Sequence, residues 1–190
     1  MFKNLRIKLK EREYRKYIEE HRQNVRKAFT EICMCPDLKW IVTYDLSCKL
    51  FKRIENHDLS KYSEEEFNAY RKYHYPINYI EKCSVKEDFD KAWEHHWKTN
   101  DHHWQARQNM KEEMTEEIEL ACLENICDWL AMGYKFNDRP IQYYNKHKDE
   151  IILPKIQINF MERVMLDLEK TKIDINKNGI IWKERDIQRW

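Results

Sequence analysis

The chain has 190 residues, of which 36% are charged and 13% are aromatic, and its formal net charge is +1. The aromatic content excludes an intrinsically disordered chain, and the balanced charge excludes binding to nucleic acid through an overall basic field. Two Gly and four Pro leave few positions for tight turns, which favours long helices over sheets.

The first predicted helix spans residues 11–32, because apolar side chains recur there at spacings of three and four. His21 interrupts this apolar stripe where a Leu would be expected. It is either a core histidine bonded to a neighbour or an inward-facing metal ligand. Residues 1–27 hold ten Lys or Arg against four Glu, which we interpret as a solvated helix face.

The second predicted helix, over residues 38–56, follows a break at Pro36 and leads into the dipeptide His57-Asp58. Adjacent residues on a helix point about 100° apart. His57 and Asp58 can therefore share one divalent cation only at the edge or the end of a helix, and they are predicted to lie where one helix ends and another begins.

A capping box over residues 63–66 predicts a third helix over residues 63–74. Residues 75–86 show no clear period and are predicted to be irregular. Residues 87–109 then carry two His-His pairs interleaved with three Trp, namely His95-His96 and His102-His103. An exposed His cluster would not usually alternate with Trp, which favours burial, so this stretch predicts metal binding.

Two geometries are open for the His-rich stretch. On a continuous helix over residues 87–109, His96, Asn100 and His103 share one inward face, and His95 lies about 100° off it. A break at Asn100 would instead turn both histidines of the second pair inward from a loop.

Thr115 can cap the next predicted helix, which spans residues 116–132. Asp128 lies at the edge of its apolar stripe, where a carboxylate is costly unless it is paired or binds a metal. Residues 133–155 are predicted to form a connection with room for one short helix, and residues 156–170 a last helix.

The C-terminal tail carries a turn signal. Asn178-Gly179 lies between two pairs of isoleucines, which are Ile173 and Ile175 before it and Ile180 and Ile181 after it. This pattern is compatible with a small C-terminal β-hairpin packed on the helices.

The candidate ligands follow one another in a distinctive order, namely His21, His57-Asp58, His95-His96, His102-His103 and Asp128. This order resembles that of the HD-domain metal-dependent phosphohydrolase superfamily, and His57-Asp58-Leu59-Ser60-Lys61 looks like its His-Asp-x-x-Lys form. More narrowly, the runs HDLSKYSEEEF, AWEHHWKTNDHHW and CDWLAM resemble an uncharacterised family found mainly in bacterial and phage genomes. The resemblance covers about residues 11–135.

The resemblance implies an all-α, HD-domain-like helical bundle over residues 1–170, with the tail 171–190 packed on it. It implies a first metal ion held by four residues, which are His21, His57, Asp58 and Asp128. A second ion would be held by His96 with His102 or His103, and Asp58 would bridge the two. Such mixed imidazole and carboxylate sites suit Mn, Fe, Zn or Ni better than Mg.

The expected activity is hydrolysis of a nucleotide or another small phosphoester by water activated at one or two divalent transition metal ions. Asp58, Lys61 and Asn100 are the predicted catalytic residues. Lys61 would neutralise charge on the phosphate, although an exposed lysine at a helix start is an equal alternative. Asn100 would orient a ligand or contact the substrate.

Two other hypotheses remain open. The first is a catalytically silent HD-like metal-binding module that acts as a phage-associated inhibitor or interaction protein. The second is a helical protein that binds nucleic acid through its basic N-terminal helix, which the near-zero net charge disfavours.

Targeting signals are lacking in the sequence. No apolar run approaches the length of about 18 residues that a membrane helix needs, and the six cysteines form no CxxC pair. We therefore expect a soluble protein with reduced thiols in the cytoplasm of a bacterium or of a phage-infected host cell, without a membrane partner.

Overall fold

The computed structural model describes residues 2–178, and throughout this part of the chain the regular structure is helical. The helices are α1 (Phe2–Met34), α2 (Tyr44–Asn56), α3 (Phe67–His74), α4 (Tyr79–Ser84), α5 (Lys86–Thr99), α6 (Trp104–Arg107), α7 (Glu116–Phe136), α8 (Pro140–His147) and α9 (Lys155–Asn178). The all-α class predicted from the sequence is therefore confirmed. Within residues 2–178 none of these helices combines the length and the apolar character needed to cross a bilayer.

Two helices begin later than their apolar patterns predict. Helix α2 starts at Tyr44 and not at residue 38, because the Thr43 side chain accepts a hydrogen bond from the backbone N–H of Leu46. Helix α3 starts at Phe67 and not at residue 63. The predicted capping box does not form, since the Glu66 carboxylate accepts hydrogen bonds from two histidines instead.

Other segments are more helical than the sequence indicates. Residues 75–86, predicted to be irregular, contain α4, whose N-cap Asn78 accepts a hydrogen bond of 2.9 Å from the N–H of Glu81. The short helix foreseen between residues 133 and 155 is α8. Helix α9 runs through the positions of the first arm of the predicted hairpin, and the second arm lies outside the described residues.

The buried apolar side chains form two separate clusters. The larger cluster joins the C-terminal half of α1 to α2, α7, α8 and α9. The smaller cluster joins the N-terminal half of α1 to α3 and α5. On α1, Ile18 belongs to the smaller cluster and Val25 to the larger, and His21 lies between them. The polar residues considered below therefore lie where the two clusters meet.

Candidate metal centre

The candidate ligands come from five places in the chain. Helix α1 supplies His21, the turn after α2 supplies His57 and Asp58, and α7 supplies Asp128. Helix α5 supplies His96 and ends at Thr99. The second His pair, at 102–103, therefore projects from the loop between α5 and α6, as the broken-helix alternative predicts.

Four side chains form the first group. Nε2 of His21 lies 3.1 Å from Oδ1 of Asp128 and 3.4 Å from Oδ2 of Asp58. Nε2 of His57 lies 3.3 Å from Nε2 of His21 and 3.6 Å from Oδ2 of Asp58. Ligand atoms of His21, His57 and Asp128 all lie within 4.8 Å of one another, close enough to hold one ion.

A second group lies on the other side of Asp58. Oδ1 of Asp58 lies 3.2 Å from Nε2 of His96 and 3.7 Å from Nε2 of His102. With a ring nitrogen of His103, these atoms also lie within 4.8 Å of one another. Buried polar atoms normally have hydrogen-bond partners. Here four that face each other have none among the described residues, namely Asp58 Oδ1 and the Nε2 atoms of His96, His102 and His103. This is the pattern expected of ligands whose partner is a metal ion.

Asp58 belongs to both groups because its two carboxylate oxygens face opposite ways. Its backbone has φ 58° and ψ 17°, the left-handed conformation. Asp and Asn adopt this conformation more readily than other residues with side chains, and such backbone cost tends to occur at functional sites. The turn after α2 thereby directs Asp58 between the first and the second group.

Two buried glutamates orient the histidines from behind. Oε1 of Glu124 accepts hydrogen bonds from Nδ1 of His57 at 2.9 Å and of His102 at 3.3 Å. Oε2 of Glu66 accepts one from Nδ1 of His96 at 2.8 Å. A hydrogen bond at one ring nitrogen fixes the tautomer and leaves the lone pair of the other free for a metal. Glu124 and these Nδ1 atoms also lie close enough to hold an ion, but Arg53 donates to Glu124 at 2.8 Å, which favours the orienting role.

The glutamates were missed by the sequence interpretation. Glu66 fits the capping box pattern, and Glu124 lies between the buried residues Leu123 and Asn125 on α7. The available signal was the spacing of Glu124 from Asp128, since positions i and i+4 lie on one helix face.

The imidazoles have different pKa values because their neighbours differ. Burial alone would lower the pKa of His21, but hydrogen bonds to Asp128 and Asp58 outweigh it and raise the pKa to about 9. Burial holds the pKa of His103 well below its usual value, and the neighbouring His102 lowers it further. His103 is therefore neutral at pH 7, the protonation state in which an imidazole binds metal.

Lys61 lies against the shared carboxylate. Its Nζ is 2.6 Å from Oδ2 of Asp58. Burial would raise the pKa of Asp58, yet Lys61 and His57 hold it well below its usual range. Burial would lower the pKa of Lys61, but Asp58 raises it. Lys61 and Asp58 are both charged at pH 7. The ammonium of Lys61 therefore lies directly beside the first group of ligands.

Two residues of the His-rich stretch, Asn100 and His95, belong to neither group of ligands. The Asn100 side chain donates to the backbone carbonyl of His96 at 2.7 Å and to Oγ of Ser60 at 2.9 Å, at the end of α5. Asn100 therefore ends α5, and its Nδ2 also lies 3.3 Å from Nδ1 of His96. The predicted role of orienting a ligand or contacting the substrate stays a prediction. Nδ1 of His95 lies 2.9 Å from Oε1 of Glu66, and the His95 ring is 38% exposed, which fits the expectation that it is not a ligand.

Glu124→Gln is expected to weaken metal binding about 10- to 100-fold, the usual cost of losing such a supporting carboxylate. The amide keeps the size of the side chain but loses the charge that holds two imidazoles. Competition with a chromophoric chelator measures the affinity. Glu117→Gln, on the exposed side of the same helix, is the matched control, and equal affinities for both variants would contradict the orienting role.

The fold and this cluster define an all-helical protein with a buried imidazole and carboxylate centre able to hold metal ions. The chain belongs to a family of unknown function (DUF5662), whose model matches residues 10–171. No curated protein and no solved structure matches the chain.

Proposed function

We propose that this protein is a metal-dependent phosphohydrolase that acts on a nucleotide or another small phosphoester. One observation carries the proposal: four buried ligand atoms without partners among the described residues surround a point next to Asp58. The other oxygen of Asp58, Oδ2, faces His21 and His57 of the first group. A carboxylate shared between two such groups can hold two ions side by side, as a two-metal hydrolase needs.

The residues present fit transition metals. The first group would hold one ion through His21, His57, Asp128 and Oδ2 of Asp58. The second would hold another through His96, His102, His103 and Oδ1 of Asp58. Sites dominated by imidazole suit Mn, Fe, Zn or Ni. When bound, these ions supply Lewis acidity, which activates water and polarises a phosphoryl oxygen.

The protein's own groups supply the rest of the chemistry. Hydrolysis adds water across the P–O ester bond and yields an alcohol and inorganic phosphate. Lys61 is the cation placed to offset the negative charge that develops on the phosphoryl oxygens. Glu66 and Glu124 hold His57, His96 and His102 in the orientation that points the other ring nitrogen at the ion, so little rearrangement is needed at the moment of reaction.

The ligand order of the sequence gives independent support. It resembles the HD-domain superfamily, in which a His, a His-Asp pair and a distal Asp surround metals on a helical bundle. Membership of the family of unknown function adds no activity of its own. The alternative is a catalytically silent metal-binding module that acts as a phage-associated inhibitor or interaction protein, because ligands alone do not establish turnover.

Metal analysis followed by a phosphate-release screen tests the proposal. The purified protein is analysed for bound metal and then loaded in turn with Mn, Fe, Zn and Ni. Each form is incubated with nucleotides, sugar phosphates and an aryl phosphate. We expect bound metal as isolated and release of phosphate with at least one ion. Bound metal without release from any compound would favour the silent module.

Lys61→Met is expected to retain the metal and to lower the turnover number by roughly 100- to 1000-fold, the usual cost of removing one group that stabilises developing charge. Metal content should not change, because an ammonium group has no lone pair to offer a metal. Lys52→Met, at an exposed position of α2, is the control. Loss of metal together with activity would show that Lys61 acts on the centre's assembly and not on the substrate.

A further inference from the structure

A cavity of about 280 Å³ lies beside the candidate metal centre. Asp128 and His103, one member of each group, form part of its wall. Its volume is at the lower end of the range of small-molecule sites, roughly 300–1,000 Å³. A molecule in this cavity would therefore be next to the metal ligands on one side.

The remaining wall is mainly aromatic. It includes five large rings, those of Trp93, Trp104, Trp129, Phe136 and Tyr143. The rings of Trp129 and Tyr143 lie 5.1 Å apart between centroids, and Trp93 meets His103 edge to face at 5.1 Å. Three tryptophans in one small cavity offer broad flat faces to a ligand, which is the kind of surface on which planar rings stack.

The polar side chains that line the cavity favour a neutral ring inside it over a phosphate group. Within residues 2–178 its lining contains Asp128 and Asp138 but no Lys or Arg. Gln105 also lines it, and Oε1 of Gln105 is buried without a hydrogen-bond partner among the described residues. A side-chain amide presents a donor and an acceptor side by side, which matches the polar edge of a heterocycle.

We propose that this cavity holds the nucleobase of a nucleoside monophosphate whose phosphate reaches the metal centre. The inference rests on the proposed function and narrows its substrate class. A saturated or purely apolar group would leave Gln105 unpaired, and an anionic group would find no Lys or Arg to pair with in the lining within residues 2–178. A flat, neutral, hydrogen-bonding ring satisfies both the aromatic wall and the amide. The cavity has room for one such ring next to the reacting phosphate.

Phosphate release from a matched pair of substrates tests this proposal. The metal-loaded protein is given adenosine, guanosine, cytidine and uridine 5′-monophosphates, each compared with ribose 5-phosphate, which has the same ester without the base. We expect kcat/KM to favour at least one nucleotide about 10- to 100-fold, the usual gain from stacking one base. Equal values for all the nucleotides and ribose 5-phosphate would overturn the proposal while leaving the hydrolase function intact.

Two variants locate the preference in the cavity. Tyr143→Ala and Gln105→Leu should each raise KM for the nucleotide, with little change in kcat and none in the constants for ribose 5-phosphate. Tyr44→Ala is the control, since Tyr44 is 78% exposed at the start of α2. A nucleotide preference that survives both cavity variants would place the base elsewhere and overturn the assignment.

Binding without turnover separates this inference from the proposed function. Calorimetric titration of the protein with the four nucleosides, which lack the phosphate, is compared with titration with ribose. Binding of a nucleoside, but not of ribose, with loss in Tyr143→Ala, supports the cavity assignment even if no phosphate is released from any ester. Failure of every nucleoside to bind, together with equal turnover of the matched pair, rejects it.

Discussion

Asp58→Asn is expected to empty both metal groups and to lower phosphate release by about 1000-fold or more, since the Lewis-acid contribution of the ions is several kcal/mol. The amide has one oxygen where the carboxylate has two. Whichever way it turns, one group meets an NH2 donor in place of a ligand. Loss of the negative charge weakens the other group as well. Elemental analysis and the phosphate-release assay measure both effects.

Asn is the sharper substitution at this position because it tolerates the left-handed backbone that Asp58 adopts. The helices should therefore remain, which circular dichroism can verify. Asp149→Asn, at an exposed site, is the control for the change of charge. Full metal content and activity in Asp58→Asn would rule out a bridging carboxylate and with it the two-metal reaction.

Arg107→Met is expected to be the most destabilising single change considered. The Arg107 side chain is fully buried, and its five N–H groups face five uncharged acceptors. These are Oε1 of Gln157, the carbonyls of Asp101 and His102, Oδ1 of Asn125 and Sδ of Met161. Each buried oxygen left without a donor costs about 1–3 kcal/mol, so we expect a loss of at least about 3 kcal/mol.

The Arg107 network also holds the loop that carries His102. Arg107→Met should therefore weaken metal binding in addition to lowering the melting temperature, which falls by roughly 2–4 °C per kcal/mol in a domain of this size. Urea unfolding and chelator competition provide the two measurements. Arg12→Met, at an exposed position of α1, is the control. Unchanged stability would mean that the loop is held by other contacts.

The candidate ligands could be identified in the sequence because they depart from the usual pattern of apolar and polar residues along a helix. His21 interrupts an apolar stripe, and the paired histidines alternate with Trp, so neither position reads as an ordinary surface residue. The structure brings His21, His57, Asp58 and Asp128 together although they are far apart in the chain. Burial of polar residues is costly unless they are paired, and that cost is what makes such residues detectable.

Residues that fit an ordinary helix pattern were not recognised as partners of the histidines. Glu66 fits a helix start, yet its carboxylate serves two histidines that lie about 30 residues away in sequence. Asn100 ends α5 in addition to lying beside the ring of His96, and the sequence pattern indicated this ending only as one of two alternatives. The spacing of apolar residues describes one helix at a time. It cannot reveal which residue of another helix a polar side chain will contact.

The helix boundaries show the same limit. Trp40 and Ile41 continue the apolar period of α2, but they lie before its start. The Trp40 ring meets Phe160 of α9 edge to face at 6.0 Å, and its Nε1 donates to Asp167. Packing against α9 accounts for the apolar character of Trp40, and Ile41 packs against the larger cluster. Tertiary contacts therefore extend the apolar spacing beyond the helix itself.

The division of the apolar core into two clusters has a consequence for local unfolding of the protein. The two clusters have few apolar contacts between them other than through α1, so we expect them to differ in local stability when no ion is bound. Bound ions that share Asp58 would connect His21 and Asp128 to His96 on α5, so that both clusters unfold together. After chelation we expect the cluster containing α3 and α5 to exchange its amide hydrogens and admit proteases first. The concentration of available metal would then determine how fast the protein is degraded as well as whether it is active.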